Sequence, residues 1–367
     1  MDKIKIPFYA RAALIFIGLI AFISILYIAR EIIVPVLYAT IFAILLSPMV
    51  DLLVKRKVNR VLSITVTMIG VSVIIILLCI LLSYEFSVFT DTFPRLLDKF
   101  SETLQHAVKW VSLHFHISAI KINSYITDTK TALMNGSRSS IGITLSSIGN
   151  ILVFLFLIPV YVFMILFYQP LLIDFIHRLF GKNNQTEVSE VLNATKRIIR
   201  RYLVALLVEA SIIATLNSIG LLIIGVEYAV LLGILGALLN MIPYIGGIMA
   251  VLLPMTVAFV TKASPSYVLM VMFVYMTIQF IDNHYIFPRI VSSKVRINAL
   301  ISLVVVLGGG ALWGISGMFL SIPIIAILKV IFDHIENMKP WGFLLGDTMP
   351  PIAIFKIKIK KKLHLVK

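Results

Sequence analysis

Long apolar runs alternate with short basic or polar segments along most of the chain. A helix that crosses the hydrocarbon core of a bilayer, about 30 Å thick, needs about 20 apolar residues. Several runs reach this length with few or no charged positions inside them. The pattern therefore predicts an all-α polytopic membrane protein with about six full spans, at 12–29, 32–54, 61–83, 141–168, 202–225 and 266–287.

Two further apolar stretches are interrupted in the middle. The first, 227–261, is broken at 240–247, and the second, 299–332, is broken at Gly308, Gly309 and Gly310 and again at Gly314 and Gly317. Each stretch is too long for one comfortable span, and each half is too short for a full one. Non-helical backbone at membrane depth is tolerated only where it is buried in protein or lines a cavity. We therefore predict two broken, re-entrant helical hairpins, a pattern typical of the binding site of secondary transporters.

Two polar segments separate the apolar runs into regions. Between residues 86 and 111, apolar positions recur at three- and four-residue steps, which predicts an amphipathic helix, and a similar pattern follows residue 188. We expect five regions: 1–83 with three spans, 84–140 as an extracytoplasmic amphipathic insertion, 141–201 with the fourth span and a cytoplasmic amphipathic helix, 202–335 as a transport core of two span-plus-hairpin repeats, and 336–367 as a basic cytoplasmic tail.

Composition agrees with a membrane protein and excludes an ordinary soluble domain. The chain is 60% hydrophobic and 13% charged, whereas soluble globular domains carry about 25% charged residues. The net charge of +15 could indicate nucleic-acid binding. The basic residues, however, gather at the ends of the apolar spans, as the positive-inside rule expects, so we reject that interpretation.

The distribution of positive charge predicts the orientation. With both termini in the cytoplasm and each hairpin returning to the side it enters, roughly three quarters of the 32 lysines and arginines face the cytoplasm. The two hairpins then enter from opposite faces and form an inverted repeat. In the competing layout both interrupted stretches cross the membrane completely, which places Arg289, Lys294 and Arg296 outside and is less favourable.

Polar side chains inside the unbroken spans are candidates for a substrate or ion pathway, because an ionisable group at membrane depth is costly unless it has a function or a partner. Glu209 lies in the fifth span, with Asn217 two turns further along the same face. The alternative for Glu209 is a hydrogen bond between helices. On the sixth span, four candidate residues share one helical face: Tyr275, Gln279, Asp282 and Asn283. The alternative for Asp282 is a charge at the end of the helix, at the membrane surface.

The hairpin tips carry the second group of candidates. Proline removes a backbone donor and glycine allows close approach of the backbone, so freed backbone groups at a tip can bind a polar solute. The alternatives are a tight turn between packed helices and close packing at small residues. The candidates are Asn240, Pro243, Tyr244, Gly246 and Gly247 in the first hairpin and Gly308, Gly309 and Gly310 in the second.

The sequence gives little support for nucleotide hydrolysis, metal binding or proteolysis. The sequence has no phosphate-binding G-x-x-x-x-G-K-[ST] loop, no H-E-x-x-H and no cysteine cluster, and we expect no catalytic residue, cofactor or metal. Histidines 106, 114 and 116 fit a solvated face better than a metal site. Gly314-Ile315-Ser316-Gly317 matches the G-x-S-G of rhomboid-type intramembrane proteases, but His284 precedes the serine and only His334 follows it. The order in those proteases places the base after the serine.

Residues 238–246, Leu-Leu-Asn-Met-Ile-Pro-Tyr-Ile-Gly, resemble the LNxIPYIG signature of the autoinducer-2 exporter family of bacterial membrane proteins. Three later segments resemble the same family: 279–289, 303–314 with its paired glycines, and 317–323. The motif match covers about residues 200–335. One position departs from the family pattern, since Gly247 stands where PYIGP has its second proline, and the substrate therefore cannot be carried over.

The resemblance implies a protein of the bacterial inner membrane that exports small polar metabolites or signals such as autoinducer-2. Other members of the family are associated with exchange of sodium or lithium for protons. The resemblance also implies homo-oligomers, pentamers among them. Beside the exporter we keep a sodium (lithium)/proton antiporter that uses Glu209 or Asp282, and, from another class, a passive oligomeric channel.

Overall fold

We analysed a computed structural model, which describes residues 7–115, 140–181, 184–242, 246–262 and 264–347. The described elements are helices: α1 Phe8–Ile28, α2 Arg30–Lys55, α3 Arg60–Phe115, α4 Ser140–Leu179, α5 Gln185–Ile224, α6 Ala229–Asn240, α7 Gly246–Lys262, α8 Pro265–Ile281, α9 Ala299–His334 and α10 Lys339–Leu345. The only β pairing in these ranges is an isolated bridge between Ile297 and Gly346. The all-α prediction is confirmed.

Seven helices of the described chain are long and apolar enough to cross a membrane. Six of them are continuous, and the seventh, α9, leaves helical geometry in its middle. Apolar side chains on these helices face outward; α1, for example, has 21 residues and none of them is buried. An outward apolar surface is the arrangement that a lipid environment stabilises, and the protein is a multi-pass membrane protein.

The amphipathic segments continue directly from the spans. Helix α3 has 56 residues, which gives a length of about 84 Å at 1.5 Å per residue. It therefore contains both the third span and the first part of the polar insertion. Residues 116–139 of that insertion lie outside the described chain. Helix α5, with 40 residues, likewise joins the predicted cytoplasmic amphipathic helix to the fifth span.

Helices α6 and α7 form the first hairpin. They have 12 and 17 residues, so α6 spans only about 18 Å, well short of the bilayer core. Their ends at the tip are in close contact, because a side chain at Gly246 would collide with the backbone carbonyl of Leu239. Residues 243–245, which include the predicted tip residues Pro243 and Tyr244, lie outside the described chain.

Helix α9 forms the second hairpin. Its backbone is non-helical at Trp313 and Gly314, and Gly314 has φ 62° and ψ −142°, a conformation that glycine adopts without steric cost. The Ser321 hydroxyl donates a hydrogen bond of 2.8 Å to the carbonyl of Val305 on the other arm. The two arms therefore pack against each other. The break lies after the predicted glycines 308–310, which remain helical.

Two apolar clusters hold the C-terminal half together. One joins α2, α5 and α9 around Ile199, Leu203 and Leu320. The other joins the end of α5 and the first hairpin to α8 around Leu221, Leu232 and Val271. Both clusters are fully or almost fully buried. The tip of the first hairpin lies where they meet, and this is where the polar side chains gather.

Candidate functional site

A cavity of about 710 Å³ lies between the tip of the first hairpin, α5, α8 and the start of α9. Its floor is buried and polar, whereas its rim carries exposed apolar side chains such as Ile248 and Met276. The volume is within the range of about 300–1,000 Å³ that is usual for sites that bind small molecules. Its polar lining residues are Tyr202, Glu209, Asn240, Tyr275, Gln279, Asp282, Asn283, Ser292, Arg296 and Ser302.

Two carboxyl groups lie on the floor of this cavity. Glu209 on α5 is 5% exposed and Asp282 at the end of α8 is 2% exposed. They are near enough to interact electrostatically. Within the described residues, neither forms an ion pair with a lysine or arginine. Two unpaired acids at one cavity can bind a cation, a proton or a solute that donates hydrogen bonds.

Asp282 also connects α8 to the first hairpin. The side-chain amide of Asn240, the last residue of α6, donates a hydrogen bond of 3.0 Å to Asp282 Oδ2. The second oxygen, Oδ1, is buried and has no hydrogen-bond partner among the described residues. One oxygen of the carboxyl group therefore holds the hairpin tip, and the other is left without a partner among these residues in this conformation.

Gly247 places the start of α7 against the same polar group. A Cβ at this position would lie 3.1 Å from Gln279 Oε1 and 3.5 Å from Asn240 Oδ1. Gln279 in turn donates a hydrogen bond of 3.2 Å from Nε2 to Asn283 Oδ1. The absence of a side chain at Gly247 therefore lets the hairpin approach the polar face of α8.

The backbone of α8 changes at the site. After Ile281 the chain forms two π-helical segments, Asp282–Ile286 and Pro288–Ser292, followed by the short turn Ser293–Val295. Pro288 has no amide hydrogen and cannot continue a regular α-helical hydrogen-bond ladder. Wide π turns are rare in proteins, and those that occur are often at functional sites. Here the first wide turn begins at the carboxylate that faces the cavity.

The structure brings seven of the predicted candidates to one cavity. Pro243 and Tyr244 lie outside the described chain, and the other candidates do not line the cavity. Asn217 is buried, but it lies beside Gly236 rather than on the cavity wall. Gly246 packs against the backbone of Leu239. The predicted candidates at the cavity are Glu209, Asn240, Gly247, Tyr275, Gln279, Asp282 and Asn283.

The three glycines of the second hairpin do not line the cavity. A Cβ at Gly309 would lie 2.5 Å from the carbonyl oxygen of Gly317, and one at Gly310 would lie 2.6 Å from Met318 Cε. A Cβ at Gly308 would meet nothing within 4 Å. Gly309 and Gly310 therefore lie where one arm packs against the other.

Sequence reasoning missed several residues of the cavity. Tyr202 lies two helical turns before Glu209 and thus on the same face of α5, a spacing that could have identified it. Arg296 and Ser302 come from the segment after α8 and from the start of α9. Arg296 has a left-handed backbone, with φ 47°, and no pattern in the sequence indicates this turn.

Comparison with known proteins identifies the family. The model of the AI-2E transporter family matches residues 16–337. The "AI-2 transport protein TqsA" of Escherichia coli (strain K12) is 27% identical over 326 residues, which cover 87% of this chain and 90% of that protein. The "Putative transport protein YueF" of Bacillus subtilis (strain 168) is 25% identical over 343 residues, 89% of each chain.

The matched residues include every helix that lines the cavity, from α5 to α9, and both broken hairpins. The similarity to relatives therefore covers the site as well as the membrane spans. The chain belongs to the AI-2E family of transporters.

Proposed function

We propose that the chain is an exporter of small polar metabolites, which bind in the cavity between the first hairpin and α8. The hydrogen bond between Asn240 and Asp282 carries this proposal. It joins a short, broken helix to a buried carboxyl group at the wall of a cavity of suitable size. Broken helices that meet polar side chains in this way are typical of the sites of secondary transporters.

The proposed cycle follows from the contacts of Asp282. A solute with a hydrogen-bond donor competes with Asn240 for Oδ2, and the buried, unpartnered Oδ1 accepts a second hydrogen bond as the site opens. Because the hydrogen bond of Asn240 joins the hairpin tip to α8, its loss frees the tip to move. Solute binding and hairpin movement are then coupled through one carboxyl group, as alternating access requires.

Autoinducer-2 is one candidate solute, because the relative named for AI-2 transport aligns along most of both chains. We further propose the bacterial inner membrane as the location, with both termini in the cytoplasm and the two hairpins entering from opposite faces. The five regions with boundaries at residues 83, 140, 201 and 335, and a homo-oligomer such as a pentamer, remain predictions from the sequence and the resemblance.

A sodium (lithium)/proton antiporter is the second candidate. Glu209 and Asp282 on one cavity favour it, since two adjacent acids can exchange a cation for protons. If protons are coupled to transport, Glu209→Gln is expected to abolish the pH dependence of flux, because an amide in its place cannot release a proton.

The test is flux into and out of liposomes that contain the purified protein. A panel of neutral sugars and polyols, autoinducer-2, sodium and lithium is compared under imposed proton and sodium gradients. The exporter predicts movement of a neutral polar solute that a gradient drives. Exchange of sodium or lithium for protons, with no neutral solute moved, favours the antiporter. Flux that never exceeds equilibration indicates a passive channel.

A further inference from the structure

A second group of buried polar atoms lies beyond the tip of the first hairpin, around Gly236 of α6. A Cβ at Gly236 would lie 3.2 Å from the Tyr275 hydroxyl, 3.4 Å from Asn217 Nδ2 and 3.6 Å from the carbonyl oxygen of Ala250. Four helices therefore contribute to one small region: α5, α6, α7 and α8. The missing side chain at Gly236 allows α6 to lie against these polar groups.

Two of these polar atoms have no partner in the described part of the chain, and the third lacks its usual helical donor. Asn217 is 2% exposed and Tyr275 is 6% exposed, yet Asn217 Oδ1 and the Tyr275 hydroxyl have no hydrogen-bond partner among the described residues. The Ala250 carbonyl faces the amide position of Pro254 one turn later in α7. Proline has no amide hydrogen, so this carbonyl lacks its usual helical donor. Buried polar atoms without partners are costly, which points to a conformation that supplies partners.

On all four helices, this second group of polar atoms is displaced from the cavity in the same direction. Asn217 is eight residues beyond Glu209 in α5, Gly236 is one turn before Asn240 in α6, and Ala250 is one turn after Gly246 in α7. Tyr275 is seven residues before Asp282 in α8. Each displacement leads from the cavity toward the end of the hairpin that carries Lys262, and away from Arg296.

Tyr275 contributes both to the cavity and to the second group of polar atoms. It lines the cavity, while its hydroxyl group lies at Gly236. A solute that passes between the first hairpin and α8 therefore meets the Tyr275 side chain first in the cavity and then at the second group of polar atoms.

We propose that Asn217 Oδ1, the Tyr275 hydroxyl and the Ala250 carbonyl form a second solute site, on the Lys262 side of the hairpin tip, which opens when the first hairpin moves. This inference rests on the proposed transport function. Two of the three atoms only accept hydrogen bonds, and none of the three groups is charged. The ligand class is therefore an uncharged solute that carries hydroxyl groups.

Accessibility tests the proposal without knowledge of the solute. Asn217→Cys is made in a Cys79→Ser background, which removes the single cysteine of the chain. Sealed vesicles of both orientations are then treated with a positively charged, impermeant methanethiosulfonate. Ser264→Cys marks the side of the hairpin ends, and Ser293→Cys marks the side of Arg296. Ser63→Cys is the buried control, since Ser63 on α3 is 0% exposed.

The expected result is that Asn217→Cys reacts from the side on which Ser264→Cys reacts, whereas Ser63→Cys does not react from either side. The absence of reaction from that side, with Ser264→Cys fully labelled, overturns the proposal. Equal reaction of Asn217→Cys and Ser63→Cys also overturns it, because general opening of the fold would then explain the labelling.

Tyr275→Phe provides the functional arm, because it removes only the hydroxyl group and keeps the ring at the cavity wall. With a hydroxyl-bearing solute that the wild type moves, flux is expected to fall at least tenfold, while Tyr267→Phe on the same helix leaves it unchanged. Normal flux in Tyr275→Phe with impaired flux in Asp282→Asn overturns this inference alone. Normal flux in both variants overturns the proposed function as well.

Discussion

The side-chain amide of Asn240 and the carboxyl group of Asp282 are joined by a hydrogen bond of 3.0 Å between the first hairpin and the π-helical turn of α8. The two residues are 42 positions apart in the sequence, and each ends a regular helix. The contact therefore fixes the relative position of two elements that both leave α-helical geometry at this point. We take this relationship as the centre of the transport site.

Asn240→Ala is expected to weaken the closed position of the hairpin. A hydrogen bond to a carboxyl group contributes about 1.5–3 kcal/mol, and 1.4 kcal/mol corresponds to about a tenfold change in an equilibrium. We expect flux per folded protein to change at least tenfold. Asn298→Ala provides the control, because Asn298 caps the start of α9 and does not line the cavity. Equal effects of the two substitutions would show that Asn240 is only structural.

The two glycines at the first tip are expected to respond differently to alanine. A Cβ at Gly246 would collide with the backbone carbonyl of Leu239, which cannot move aside, whereas a Cβ at Gly247 would meet the flexible end of Gln279 at 3.1 Å. Gly246→Ala should therefore reduce the amount of folded protein, through overpacking that costs about 1–3 kcal/mol. Gly247→Ala should fold normally and lose flux.

Gel filtration in detergent separates the two effects, and Leu252→Ala on the exposed face of α7 is the matched control for both. If Gly247→Ala has full flux per folded molecule, contact between the tip and Gln279 has no role in transport.

The sequence predicted the elements far better than their ends and contacts. Length and hydropathy identified the six continuous spans and both interrupted stretches, because these properties are local. The continuation of α3 to Phe115 was not predicted, since polar residues after position 83 end the apolar run without ending the helix. Local patterns also could not place the break of α9 at Trp313 and Gly314 among several nearby glycines.

The sequence singled out some of the residues that line the cavity but not the geometry that brings them together. Asp282 and Asn240 were both singled out as polar residues in apolar surroundings, on separate elements. Their hydrogen bond depends on how the hairpin packs on α8, which no spacing in the sequence encodes. Arg296 and Ser302 were missed for the same reason, because they reach the cavity through a left-handed turn and a helix start outside the polar stripe.

The glycines of the second hairpin are expected to differ by position. Gly309→Ala places a methyl group 2.5 Å from the Gly317 carbonyl, whereas Gly308→Ala meets nothing within 4 Å. We expect Gly309→Ala to lower the apparent melting temperature in detergent, with a loss of about 1–3 kcal/mol, and Gly308→Ala to have no adverse effect. A melting temperature equal to wild type in Gly309→Ala contradicts the packing of the arms.

The orientation of the chain in the membrane can be tested with the Ser264→Cys and Ser293→Cys variants. In intact cells of a Cys79→Ser strain, Ser264→Cys is expected to react with an impermeant thiol reagent and Ser293→Cys is expected to react only after lysis. The reason is the basic segment that contains Arg289, Lys294 and Arg296, which favours the cytoplasmic face. Reaction of Ser293→Cys in intact cells would overturn the re-entrant arrangement of the first hairpin.

The most direct test of the account is flux through Asp282→Asn in proteoliposomes, with a solute that the wild type moves. The amide keeps the size of the side chain but removes the charge and one acceptor next to Asn240. Asp51→Asn at an exposed position of α2 is the matched control. We predict a loss of at least tenfold in flux per folded protein for Asp282→Asn and none for Asp51→Asn. Wild-type flux in Asp282→Asn would contradict the assignment of the cavity as the transport site.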